Sequence, residues 1–270
     1  MKKKQYQKKN TQLLVGVCLT GFFLLIAIIG QFWTPYSVTG MDAGAVTLAP
    51  CLKHPLGTDN FGRDILSRVM NGCGMTFLVS LGTVLIGAVI GTLVGAITGY
   101  LGGWLDEVVM RLSDMLLSFP SVLLALIFIS FLGPGTENVI LALGILFIPS
   151  FARIIRSEMI RCKELDFVKS ARVMGVHPVR IIFAHILPNA RVSLLTTGAI
   201  AFNNAVLAEA SLSFLGLGLQ PPMPSLGRML SEAQTYLFIA PWYAIAPGVT
   251  IILIILGFSM ISEGLRTMQR

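Results

Sequence analysis

Apolar residues along this chain fall in long unbroken blocks, not in the alternating or every-third-residue patterns of a soluble fold. Between Arg68 and Asp106 no charged residue occurs, a stretch longer than the roughly 20 residues a helix needs to cross hydrocarbon. Six blocks predict membrane spans, over residues 13–33, 76–100, 115–132, 138–151, 193–217 and 240–261. Because each block is continuously apolar, helices are expected and a β-barrel is not. The fourth block is the shortest, and its arginines can snorkel, which extends it toward Arg156. The predicted fold class is an all-α integral membrane protein.

Composition agrees: 54% of the residues are hydrophobic and 12% charged, against about 25% charged in an average soluble chain. The net charge of +7 is mainly a topology signal. With the N-terminus inside, six spans bring the C-terminus inside too. Sixteen of the 20 lysines and arginines then lie in inner segments, leaving Lys53, Arg63, Arg68 and Arg228 outside; positive charge favours the cytoplasmic side. Residues 1–12 form a basic tail, and 13–33 read as a retained signal-anchor helix, since no cleavage site follows convincingly. Nucleic acid is a poor partner for basic residues split between membrane-flanking segments. Cys51 and Cys73 share the outer face and could pair; two unpaired small residues is the simpler reading.

The segment between spans four and five, about 157–192, is built as a bracket. Leu165, Val168, Ala171 and Met174 mark one face of a short helix. Gly175 ends it as a left-handed cap. His177 precedes Pro178, which opens a second helix running to Leu187 and stopping at Pro188. In the outer segment, 34–75, Asp59 is a candidate N-cap. From it Phe61, Ile65, Leu66, Val69 and Met70 line one face of an amphipathic surface helix, and Arg63, Asp64, Ser67 and Arg68 line the other. Gly87, Gly91, Gly95 and Gly99 repeat on one face of the second span and predict a close helix contact, inside the chain or with a second subunit. Asn203, Asn204 and Glu209 are costly inside a span. They would line a translocation path, with Glu209 facing a cationic end of the cargo, or form a hydrogen-bond network that holds the bundle.

The bracket reads KSARVMGVHPVRIIFAHILPN, and it resembles the EAA signature of ABC importer permeases. Ala171, Gly175, Ile186, Leu187 and Pro188 match, with Lys169-Ser170 where Glu-Ala is usual. The blocks HPLGTDNFGRDILSR, GGWLDEVVMRLSDMLLSFPS and EASLSFLGLGLQPPMPSLGRML look like the C-type permease of the dipeptide, oligopeptide and nickel importers. Gly72-Cys73-Gly74 departs from that pattern in lacking an arginine. The resemblance implies the type I ABC importer permease fold over 76–270, in a bacterial cytoplasmic membrane. It implies a B-type permease, two ATPase subunits that bind ATP and magnesium, and an external substrate-binding protein as partners. It makes Leu165, Val168, Ala171, Gly175, His177, Pro178, Ile186, Leu187 and Pro188 the loop that couples to the ATPase. The cargo it implies is a dipeptide or oligopeptide, with nickel or a metal chelate as the alternative.

No cofactor, metal site or catalytic group is expected in the chain itself. No phosphate-cradling GxxxxGK[ST] loop is present, and His54, His177 and His185 all lie outside the spans, away from ligand or nucleophile–base spacing. A secondary transporter would need more intramembrane charge and would leave the bracket unexplained.

Overall fold

The computed structural model describes the backbone of residues 2–268 and the side chains of residues 11–266. Most of the basic tail lies outside the described side chains. Helix α1 (Lys2–Phe32) runs antiparallel to the last helix, α10 (Pro241–Met268), with Leu13 beside Gly264 and Gly16 beside Gly257. It then crosses the start of α2 (Ile65–Leu101), where Gly30 meets Met70.

At 1.5 Å per residue, the 37 residues of α2 reach about 55 Å, nearly twice the hydrocarbon thickness. The helix therefore projects well beyond a bilayer. The separate surface helix expected from Asp59 does not form. Asp64 is the N-cap, accepting from the Ser67 N–H at 2.8 Å, and the helix continues into the second span because no breaker intervenes. Asp59 instead closes the preceding turn, accepting from the N–H groups of Phe61 and Arg63 at 2.8 and 2.9 Å.

Gly102 and Gly103, both at φ +69°, turn the chain from α2 into α3 (Gly103–Ser118). The single third span expected over 115–132 is broken: α3 and α4 (Ser121–Leu132) meet at a 95° bend. The proline ring at Pro120 excludes helical backbone at the residue before it, and Phe119 is extended at φ −94°, ψ 145°. Alone, the 12 residues of α4 reach only about 18 Å.

The fourth span extends further than its apolar block. Helix α5 (Thr136–Lys163) passes Arg156 because α3 supplies counter-charges. Arg156 makes a two-pronged pair with Asp106 at 2.5 and 2.6 Å, and Arg153 pairs with Asp114. Helix α5 packs along the glycine face of α2. A Cβ on Gly87, Gly91 or Gly99 would stand 2.6–2.8 Å from Phe147, Ile148, Phe151 or Met159, and one on Gly95 would strike the Ala152 backbone. The glycine repeat is thus an internal seam.

Helix α8 (Arg191–Phe214) fits between α2, α5 and α10, and α9 (Leu226–Ala233) covers the start of α2. Three apolar clusters stack along this group. One gathers Phe77, Phe202, Met229 and Tyr243 near α9; one centres on Leu143, Phe151 and Ala205; one joins Ile155 and Met159 to the bracket. Among the described residues, α1, α2, α5 and α10 are each long and apolar enough to cross a membrane, and the bent α3–α4 pair brings the number to five if its two halves are counted as one span. Helix α8 has 24 residues, but Asn203, Asn204 and Glu209 leave it outside that set.

Candidate functional site

Three local features shape the bracket. Helix α6 (Asp166–Val173) ends in a paired cap in which Gly175 donates to the Arg172 carbonyl at 3.1 Å and Val176 to that of Ala171 at 3.0 Å. This pairing closes a helix through a left-handed residue, and Gly175 sits at φ +75°. His177 then caps α7 (Pro178–Arg180), its ring nitrogen accepting from the Val179 N–H at 3.4 Å. The stop expected at Pro188 is not observed. From Ile181 to Ile186 the backbone is a π-turn and from Leu187 to Ala190 a 3-10 turn, and both lead into α8 without leaving helical geometry. Proline lacks an N–H, so the hydrogen-bond ladder changes register around it while the chain keeps its direction.

The two faces of the bracket are divided sharply. Val168, Ala171 and Ile186 are buried against Ile155, Met159 and Ile181. Val168 and Ala171 thus face inward and fasten the bracket to the end of α5. The face left open holds Phe167, Val173 (90% exposed), Met174 (74%), Val179 and Phe183, with Leu165 half-exposed at the start of α6. Leu187 is partly buried and Pro188 exposed. A second fastening reaches α2. Lys163 Nζ donates to the Tyr100 carbonyl at 2.8 Å, and the Arg172 guanidinium lies 5.7 Å from the Tyr100 ring centre.

Asn203, Asn204 and Glu209 point in three directions. The Asn203 amide, in the orientation that satisfies both its ends, donates to the Ile255 carbonyl at 3.2 Å and accepts from the Ser259 N–H at 3.3 Å. It ties α8 to α10. Asn204 is exposed and, with Ser121, Ser150, Leu207 and Ser211, lines a partly polar cavity of about 400 Å³ between α4, α5 and α8. Glu209 is fully buried. It accepts from Thr76 Oγ1 at 3.0 Å and Ser213 Oγ at 2.7 Å, which links α8 to α2. A carboxyl group with both oxygens engaged inside the chain does not face a path in this conformation.

At the opposite end from the bracket lies an ionic cluster that the sequence pattern did not reveal. Arg68, 2% exposed, pairs with Asp59 and, at 3.1 Å, with Glu232 of α9. Arg63 reaches the same two carboxylates at 2.6 and 3.2 Å, Arg228 joins Glu232 at 3.0 Å, and the Tyr243 hydroxyl donates to it at 2.8 Å. Burial would raise the Glu232 pKa, but Arg68, the Tyr243 hydroxyl, Arg228 and Arg63 outweigh it and hold the group below its ordinary value. Three of the four residues expected on the polar face of a surface helix are thus interior. Asp64, Ser67 and Arg68 are all buried, because α9 and the segment before α2 close over them. His54 Nδ1 lies 2.9 Å from Asp64 and its ring packs on Tyr36 at 4.6 Å. Cys51 and Cys73 are free, one exposed and one buried.

Comparison with known proteins places this architecture. The family model described as "Binding-protein-dependent transport system inner membrane component" matches residues 91–268, from the glycine seam to the end of α10. The dipeptide transport system permease protein DppC of Alkalihalophilus pseudofirmus is 39% identical over 259 residues, 96% of this chain and 85% of that protein. The glutathione transport system permease protein GsiD of Salmonella typhimurium is 42% identical over 267 residues, covering 97% and 87%. Among solved structures, a chain of the MetNI methionine ABC transporter in inward-facing conformations superposes with a TM-score of 0.59 at 22% identity. It covers 75% of this chain and 97% of that one, a likeness of fold. The chain belongs to the binding-protein-dependent transport system inner membrane components.

Proposed function

We propose that the chain is one permease of a two-permease ABC importer that takes up dipeptides or oligopeptides delivered by an external binding protein. The observation that carries this reading is the bracket, fastened by Val168, Ala171 and Ile186 to the ends of α5 and α8 while presenting Val173, Met174 and Phe183. An apolar tip of this kind suits a groove on an ATPase subunit. Its anchors on α2 and α5 would carry a push from that subunit into the spans. ATP binding and hydrolysis then belong to the partners, and alternating access belongs to the permease pair. The second permease would meet the face of α8 bearing Asn204 and Ser211, so that the partly polar cavity becomes half of the path. The substrate class follows from the kinship with permeases named for dipeptides and glutathione.

In this reading α8 is the sixth span and both termini are cytoplasmic. Single cysteines in a cysteine-free background at Leu52 and Phe238, which are fully exposed at the end opposite the bracket, should react with an impermeant thiol reagent in intact cells. One at Val173 should react only after the membrane is opened; labelling of Val173 in intact cells would overturn the orientation. The function itself is tested by reconstituting the complete complex and measuring ATPase activity with binding protein plus dipeptide, glutathione or a Ni(II) chelate. Stimulation by a peptide is expected. Stimulation by the chelate alone would transfer the assignment to metal uptake.

A further inference from the structure

The bundle contains a second and larger cavity, distinct from the partly polar one. It is an open groove of about 660 Å³ between α2, α8 and α10, backed by Phe151 and lined almost wholly by carbon. We infer that this groove holds one acyl chain of an anionic glycerophospholipid of the inner leaflet, with the headgroup on Arg191 and Arg266.

Its depth fits a leaflet. The lining of α2 runs from Leu81 to Leu93, about 18 Å along the helix axis, while half of the hydrocarbon core is about 15 Å. The groove starts near the bracket end of the bundle, at Leu93, Leu194 and Leu265, and ends at Leu81, Phe202 and Phe258. In the proposed orientation the starting end is cytoplasmic.

Two arginines stand beside that mouth in sequence. Arg191 precedes Leu194 and Leu195 by one helical turn and so shares their face of α8; Arg266 follows Leu265. Both arginines are exposed and, among the described residues, neither makes an ion pair. Glu263, three residues before Arg266, makes no ion pair with it, and Glu158 is already taken by Arg161 and Ser193. Basic pockets between spans on the cytoplasmic side bind anionic headgroups.

Gly198 supplies an independent argument. Mid-helix glycine is unfavourable by about 0.5–1 kcal/mol relative to alanine, and usually a tight contact or a positive φ requires it. Gly198 has neither: no atom lies within 4 Å of where its Cβ would be. What its small size serves is the open volume of the groove. A partner permease is the wrong occupant. Asn204, Leu207 and Ser211 line the other cavity from the opposite side of α8 to Leu195, Gly198 and Phe202, so a second permease seated there leaves this groove to the bilayer.

The inference rests on the proposed orientation and pairing, and its test separates the two. The complete complex is reconstituted in phosphatidylcholine vesicles containing a phosphatidylglycerol with a photoactivatable diazirine midway along one acyl chain. After irradiation, adducts should map to Leu81, Phe202 or Phe258, and unlabelled phosphatidylglycerol should compete them away. Gly198→Phe should abolish them while Gly198→Ala preserves them. Arg191→Gln and Arg266→Gln should each lower phosphatidylglycerol adducts about fivefold and leave those of a matched phosphatidylcholine probe unchanged. Adducts spread evenly onto Val17 and Leu25, exposed positions of α1 outside the groove, would overturn the site. So would adducts indifferent to both arginines, or a cysteine at position 198 that cross-links to the partner permease. Co-purified ATPase, measured on the same samples, reports separately on the importer reading.

Discussion

At the scale of single residues, the interior polar groups divide into those that bind elements together and those that stay available. Glu209 belongs to the first kind. Glu209→Gln keeps an acceptor and a hydrogen-bonding shape, and the Thr76 and Ser213 hydroxyls can rotate to meet it, so folded yield and transport should stay close to the parent. Glu209→Leu leaves both hydroxyls without their acceptor and should cost about 1 kcal/mol for each lost bond, seen as a lower melting temperature of the purified complex. Loss of transport in Glu209→Gln with stability unchanged would restore the carboxyl group to the path. Glu232 answers to pH. Its folded pKa is lowered, so its contribution is complete above the ordinary carboxylate value and is lost as pH falls through the folded one. Acidification from about pH 5 to pH 3 should loosen the cover formed by α9 over α2, read as faster amide exchange in residues 226–233. Glu232→Gln should be weaker at neutral pH and show a flatter acid response. An unchanged acid response in that variant would remove Glu232 from the cause.

At the scale of elements, what could be read from the chain was what is local. The left-handed cap at Gly175 was legible because the apolar period, the glycine and the following His-Pro all lie between Leu165 and Pro178. The glycine seam was legible as a seam, but not its partner: that Gly91 meets Ile148 and Phe151 depends on how α5 lies across α2. Pro120 was visible, yet the block around it stayed apolar on both sides, so composition alone predicted one span where the chain bends by 95°. The ionic cluster was hidden for a different reason, since Arg68 and Glu232 are 164 residues apart and only the closed fold pairs them. The seam makes a direct prediction. Gly91→Ala adds one carbon where the Ile148 carbonyl and Phe151 leave no room, and should cost roughly 1–3 kcal/mol; Gly91→Leu should abolish folded complex. Gly198→Ala, in open space, should be neutral or stabilising. Equal thermal stability of Gly91→Ala and Gly198→Ala would show that the α2–α5 contact is looser than the packing describes.

At the scale of the whole molecule, the bracket lies where the long α2–α5 pair ends, so a displacement at its tip has rigid helices to act on. Gly175 decides the angle of that tip. No atom lies within 4 Å of its Cβ position, so a substitution is opposed only by the left-handed backbone, at about 1–2 kcal/mol for an ordinary L-residue and more for a β-branched one. The buried anchors Val168, Ala171 and Ile186 would hold, and the permease should still insert and fold. What moves is the exposed pair beside the turn, Val173 and Met174. Asparagine tolerates the left-handed region, so Gly175→Asn should co-purify nearly as much ATPase as the parent, Gly175→Ala less and Gly175→Val least, with transport falling in the same order. Val173→Asp combined with Met174→Asp tests the face without touching the turn: it should lose the ATPase while the cap at Gly175 stays intact. If Gly175→Val matches the parent in ATPase per permease and in transport, and the double aspartate does too, then the bracket does not couple to the ATPase, and the push must enter the spans elsewhere.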